Sequence, residues 1–202
     1  MQPYPPSKPI AIFYATREGL TRKIAEHMAV NLCRQGLLAC ILDVREVPAP
    51  LELSSFLGAI LAASVHLGRH EREMIRFVKQ RRAELESLPT AFLSVTLSQA
   101  GVEGRNQTPE IRAQCAAGVQ QVIDRFLSET RWKPGYVNPV AGALPYSKYN
   151  PLVRFVMKRI ARAEGGDTDT SRDYEYTDWA ALDHFVDTFV REILPASDAV
   201  ST

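Results

Sequence analysis

Apolar residues along this chain fall into two patterns: short solid runs, and runs spaced three or four positions apart. Residues 10–15 read Ile-Ala-Ile-Phe-Tyr-Ala. A run with no polar face predicts a strand buried on both sides, as in a parallel sheet. Leu20, Ile24, Met28 and Leu32 follow one turn apart, and Gly36 closes the helix they predict. Further solid runs predict strands over 38–44, 56–63, 90–96 and 136–144. Helical spacing returns from about 71, carried by Met74, Phe77, Val78 and Leu85. Thr108 followed by Pro109 is a helix start, and Ile111, Cys115, Val119, Val122 and Phe126 carry that helix inward. A last helix starts near 178, with Trp179, Leu182, Val186, Phe189 and Ile193 on one stripe.

Strands alternating with helices predict an α/β fold with a parallel sheet covered on both faces and right-handed crossovers. Five strands in a doubly wound sheet predict the order 2-1-3-4-5. In that order ligands bind outside the carboxyl ends of the strands, at the switch point beside the first strand. The stretch after the second strand holds Pro48 and Pro50 and predicts no helix, and 97–107, with Gly101 and Gly104, reads as a polar loop. One domain is expected over 10–194, with an extended proline-rich leader over 1–9 and a frayed tail over 195–202. The segment 145–176 is surplus to the plan. Connections of that length at the ligand-binding end are usually functional.

Composition narrows the picture only a little. The chain has 202 residues, 46% of them hydrophobic and 23% charged, with a net charge of +1. No global field draws it to nucleic acid, so any charge preference is local. Cys33, Cys40 and Cys115 form no CxxC pair, and their odd number argues for reduced thiols in a cytoplasm. No apolar run approaches the roughly 20 residues that span a bilayer. The N-terminal residues lack the apolar core of a signal peptide.

The sharpest local signal is the loop Thr-Arg-Glu-Gly-Leu-Thr over 16–21, between the first strand and the first helix. A helix start offers free amides and partial positive charge, which suits phosphate. The hydroxyls of Thr16 and Thr21 add donors, and Gly19 allows close backbone approach. The loop is neither a P-loop nor GxGxxG. A plain strand–helix turn capped by threonine is the alternative.

With that loop the chain resembles the flavodoxins. More closely, it resembles the flavodoxin-like, menaquinone-dependent protoporphyrinogen oxidases of bacteria. The matching pieces are Ala-Thr-Arg-x-Gly-x-Thr at 15–21, Ala-Ser-x-x-x-Gly at 63–68 and Pro-x-Ala-Phe-x-Ser-Val at 89–95. Ala-Gly-Ala-Leu-x-Tyr at 141–146, Gly-Gly-x-Thr-Asp-Thr at 165–170 and Tyr-Thr-Asp-Trp at 176–179 complete the set. The resemblance implies a flavodoxin-like fold holding FMN at three loops. Thr16, Arg17, Glu18, Gly19, Leu20 and Thr21 would hold the phosphate. Ser64, Val65, His66, Leu67 and Gly68 would lie along the isoalloxazine ring. Thr96, Leu97 and Ser98 would close the other side. Relatives place an aromatic residue just before that last glycine of the second loop, where this chain has Leu67; His66 and His70 are the nearest rings, although a lone loop histidine is usually solvated.

The implied reaction is oxidation of protoporphyrinogen IX to protoporphyrin IX in haem biosynthesis, with a membrane quinone as electron acceptor. No catalytic acid or base is evident. The histidines have no metal-ligand spacing, and Asp167-x-Asp169 reads as a capped turn. Within the insertion, 151–163 predicts a helix with Leu152, Val153, Val156, Met157 and Ile160 on one side. Arg154, Lys158, Arg159 and Arg162 lie on the other. Such a helix suits peripheral contact with an anionic membrane at its inner face, or steering of an anionic porphyrinogen, or packing on the protein's own core. Deleting the insertion is expected to spare FMN and abolish porphyrinogen oxidation. A flavodoxin-type electron carrier, an FMN-dependent quinone reductase and a non-catalytic module are the rival readings. The sequence leaves the oligomeric state open.

Overall fold

The computed structural model describes residues 8–104, 107–151, 154–155, 158–159, 162 and 167–194. Five parallel strands form its centre: β1 (Ile10–Ala15), β2 (Ala39–Asp43), β3 (Gly58–His66), β5 (Thr90–Thr96) and β6 (Tyr136–Ala141). Their order is β2-β1-β3-β5-β6. A two-residue strand β4 (Arg69–His70) is numbered between the third and fourth of these, so this is the 2-1-3-4-5 order expected from sequence. β4 folds back antiparallel on the end of β3.

The helices are α1 (Leu20–Arg34), α2 (Arg72–Leu85), α3 (Leu97–Glu103), α4 (Pro109–Thr130) and α5 (Trp179–Ile193). Alternate residues of each strand feed two cores, because side chains along a strand point to opposite faces. Ile10, Ile12 and Tyr14 of β1 pack with Ile24, Met28 and Leu32 of α1 and Leu182, Val186 and Phe189 of α5. Ala11, Phe13 and Ala15 pack on the other face with Met74, Phe77 and Val78 of α2 and Phe126 of α4. A ring cluster fills that second core. Phe92 stacks on Phe126 with centroids 4.2 Å apart, and Trp132 meets both edge-on. Between β2 and β3 there is only a single 3-10 turn, Leu53–Ser55, as the prolines there dictate.

Two helix starts read from sequence are capped as expected. The Thr108 hydroxyl accepts from the Ile111 amide at 3.3 Å, and the Asp178 carboxylate accepts from Ala181 at 2.9 Å. Three expectations are corrected. The segment read as a polar loop over 97–107 begins with α3, whose Gln99 and Gly101 are buried. The strand expected over 136–144 breaks at Gly142, and its end, β7 (Ala143–Leu144), pairs instead with β8 (Tyr174–Glu175) inside the insertion. A Cβ at 142 would sit 3.1 Å from the Leu97 nitrogen, so glycine lets the chain pass the start of α3 without pressing on its backbone. Third, His70 is not a solvated loop residue. It is 2% exposed, ringed by Phe92 and Phe126, with Nε2 2.9 Å from the Ser94 hydroxyl. The leader over 1–7, the tail over 195–202 and the apolar side of 151–163 lie outside the described residues.

Burial drops the His70 pKa from the ordinary 6.5 to about 4. Between those values the unfolded chain binds a proton that the folded chain refuses, so stability rises with pH there. Urea unfolding should show stability falling as pH drops from about 6.5 to about 4. His70→Gln should flatten that slope by one proton, and an unchanged slope would refute the assignment.

Candidate site at the carboxyl ends of the strands

A cavity of about 390 Å³ opens where β1, β3 and β5 end. Its lining comes from four places: the 16–21 loop with the first turn of α1, the end of β3, the β5–α3 junction, and the insertion.

The first wall is built by an uncapped helix start. Gly19 occupies the N-cap of α1 with φ +102°, a conformation L side chains rarely adopt, and no side chain caps the helix. The Thr16 hydroxyl turns back to accept from the Gly19 amide at 3.0 Å. The amides of Leu20, Thr21 and Arg22 have no carbonyl one turn earlier to donate to, and no carboxylate stands in that first turn. Thr21 is 0% exposed, and its hydroxyl has no hydrogen-bond partner among the described residues. Free amides, a positive helix end and an orphaned buried hydroxyl in one wall form an anion cradle.

The second wall is Ser64, Val65 and His66 at the end of β3. It is tied to the first through Glu71. That carboxylate, 5% exposed, accepts from Arg17 at 3.0 Å and from the Ser64 hydroxyl at 3.3 Å. Val95 and Leu97 supply an apolar side.

The third wall is the insertion. The ribbon of β7 and β8 closes its ends together. Tyr146 is its core, fully buried, with its hydroxyl donating to the Asp167 carbonyl at 2.8 Å. Tyr149 and Tyr174 meet the Tyr146 ring edge-on, and Tyr176 stacks on Tyr174. Asp173 caps the turn Tyr146–Lys148, accepting from the Ser147 amide at 2.8 Å and its hydroxyl at 2.6 Å. Those bonds hold the Asp173 carboxyl below the usual carboxylate range. This turn delivers Lys148 and Tyr149 to the cavity, where burial pushes the Tyr149 hydroxyl up and keeps it protonated. The Asp167 and Asp169 side chains are taken up by Tyr176 and Ser171, in keeping with a turn.

Of the residues read from sequence, the cavity brings together Thr16, Glu18, Gly19, Leu20, Thr21, Ser64, Val65, His66 and Leu97. It does not gather the rest. The Arg17 guanidinium turns to Glu71. Leu67 and Gly68 form the tip of the β3–β4 hairpin, both with positive φ, and Leu67 is 83% exposed. A two-residue hairpin of this hand demands that backbone, which is why a leucine is held there against its preference. Thr96 is buried under Gly142, and Ser98 faces a separate hollow beside Cys115. Sequence reasoning did not single out Lys23, Val95, Gly142, Ala143, Pro145, Lys148, Tyr149, Asp173, Tyr174 and Glu175 as lining. The Ala-Gly-Ala-Leu-x-Tyr motif signalled those at 142–145, and the length of the 145–176 segment signalled the insertion as a whole. The insertion's residues share one cavity with the 16–21 loop, so the insertion is one wall of the site.

Comparison with known proteins agrees with this architecture. The flavodoxin domain family matches residues 11–171. Protoporphyrinogen IX dehydrogenase [quinone] of Escherichia coli strain K12 is 33% identical over 187 residues, covering 93% of this chain and 95% of that protein. The Leishmania major protein of the same name is 30% identical over 179 residues, covering 88% and 73%. A short-chain flavodoxin associated with a PDU bacterial microcompartment superposes with a TM-score of 0.50 at 12% identity, covering 92% of this chain and 99% of that one.

Thr21→Val tests the cradle. Removing an orphaned buried hydroxyl should raise the stability of the ligand-free chain by about 1 kcal/mol, while anion binding weakens. A loss of stability in urea titration would mean that the hydroxyl has a partner within the fold.

Proposed function

The chain belongs to the flavodoxin domain family and, within it, to the quinone-linked protoporphyrinogen IX dehydrogenases; from that premise we propose that it holds FMN and oxidises protoporphyrinogen IX to protoporphyrin IX with a quinone as electron acceptor. The observation that carries this reading is the meeting of the uncapped α1 start, the orphaned Thr21 hydroxyl and the insertion around one cavity.

The residues present fit the cofactor. The phosphate goes to the amides of Leu20, Thr21 and Arg22 and the hydroxyl of Thr21. Gly19 leaves room beside them, since a side chain there would both strain the backbone and crowd the approach. Ser64, Val65 and His66 line one side of the ring site, and Val95 and Leu97 keep water from it. A volume of about 390 Å³ lies in the range of small-molecule pockets. Bound flavin supplies the redox chemistry, taking reducing equivalents from the porphyrinogen and releasing them to the quinone. The protein orients, excludes water and sets the local field. Tyr149 offers a protonated hydroxyl and a ring at the insertion side of the cavity.

The acceptor in this reading is menaquinone, and the protein works at the cytoplasmic face of the membrane that holds it. No helix of the described residues is long and apolar enough to cross a membrane, and the contact in this reading is peripheral. Arg154, Phe155, Lys158, Arg159 and Arg162 are helical. Phe155 is 58% exposed beside the Arg159 guanidinium, which lies 5.9 Å from its ring. An exposed ring among cations suits an anionic lipid surface.

Purified protein should show a flavin absorption spectrum, release FMN on heating, and oxidise protoporphyrinogen IX only when a soluble naphthoquinone is supplied. A colourless protein that takes up no added FMN overturns the reading. Flotation with vesicles should separate the membrane part of it. Binding to anionic vesicles at low salt, lost at high salt and absent with neutral ones, is expected; indifference to lipid charge sinks peripheral contact through this helix.

A further inference from the structure

The insertion reaches back to the start of α1 and places one cation there. The Lys148 ammonium donates to the Glu18 carbonyl. It lies 3.8 Å from where a Cβ on Gly19 would stand, which is the open side of the anion cradle. Both residues line the cavity that Thr16 and Thr21 line.

Other cations near this loop are occupied. Arg17 pairs with Glu71 at 3.0 Å. Arg22 pairs with Glu26 at 2.8 Å along the helix. Lys23 pairs with Glu175 at 2.9 Å and lies over the Trp179 ring. Lys148 pairs with no carboxylate of the described residues. Asp173, whose carboxylate feels the Lys148 charge, makes its hydrogen bonds to Ser147 and no ion pair with Lys148. The turn that carries Lys148 is fixed from both sides, by Asp173 below and by Arg154, which donates to the carbonyls of Tyr146 at 3.1 Å and Tyr149 at 3.3 Å. Its ammonium is therefore held at the cradle by packing in the insertion, with charge to spare.

We propose that Lys148 is a phosphate ligand supplied by the insertion, which makes this chain select a flavin bearing a terminal phosphate over one without it. The inference rests on the FMN reading above and deepens it. A phosphate monoester carries a charge of about −1.5 to −2 at neutral pH. The amides of α1 offer only about half a positive charge. Lys148 adds a full one on the side the helix leaves open.

The test is fluorescence titration of the full chain, freed of flavin, with FMN and with riboflavin. Wild type should prefer FMN, and the preference should shrink as salt rises. Lys148→Met should weaken FMN about tenfold at low salt and leave riboflavin unchanged, in line with the loss of a hydrogen bond to a charged group. Lys148→Arg should keep most of the preference. If Lys148→Met weakens both flavins equally, the residue only supports the insertion and the proposal is overturned. If neither affinity changes, it is overturned as well. A wild-type chain that binds riboflavin and FMN alike overturns the proposal but not the flavin reading, while one that binds neither overturns both.

Discussion

Everything in this site depends on a helix that begins without a cap. A helix start can recruit a side chain to satisfy its free amides, as α4 and α5 do with Thr108 and Asp178; α1, α2 and α3 do not, and of these α1 opens on the cavity. α1 has Gly19 instead, in a left-handed conformation, and leaves the amides to whatever enters the cavity. The Thr16 hydroxyl does not cap them, because it accepts from Gly19, one step too early. The buried Thr21 hydroxyl adds to the cost. Folding this way leaves stabilisation undone that an anion completes, so ligand and fold reinforce each other by mass action.

The insertion answers the question of how a near-neutral chain makes a charged site. With a net charge of +1, no long-range field helps an anion arrive. Placement does the work. The ribbon of β7 and β8, the buried Tyr146 and the Asp173 cap turn a long connection into a third wall. Because Gly142 lets the chain leave the sheet right above Thr96 and Leu97, that wall stands over the strand ends and not off to one side. An excursion that looks like decoration on the fold is thus part of the pocket that the fold creates.

How much of this was legible in the sequence follows from the range of the interactions concerned. The inner strands β1, β3 and β5 were readable because both faces are buried over most of their length, so their apolar runs are solid. β1 alternates Ile10, Ile12 and Tyr14 with Ala11, Phe13 and Ala15 between two cores. The start of α1 was readable because glycine and threonine there act locally. Long-range choices were not readable. α3 carries Gly101 and polar residues that argue for a loop, yet packing against α4 and β6 makes it a helix. His70 looks like a solvated loop residue until Phe92 and Phe126 are seen to arrive from elsewhere in the chain. Lys148 lies between Tyr146 and Tyr149 in sequence, which says nothing of the 16–21 loop; only the return of the insertion onto α1 brings it there.

The same logic explains why two loops distant in sequence behave as one. β3 continues past its place in the sheet into the hairpin with β4, and that extension puts Ser64 and Glu71 beside Arg17. Arg17 is half exposed, so the pair by itself contributes little to stability. Its weight lies in the other partner. Glu71 is almost fully buried, and removing Arg17 would leave its carboxylate with one neutral hydroxyl donor, which costs far more than the pair is worth. The 16–21 loop therefore cannot drift from the β3 end without stranding a charge. The two loops that wall the cavity are held in fixed relation by a carboxylate that does not itself line it.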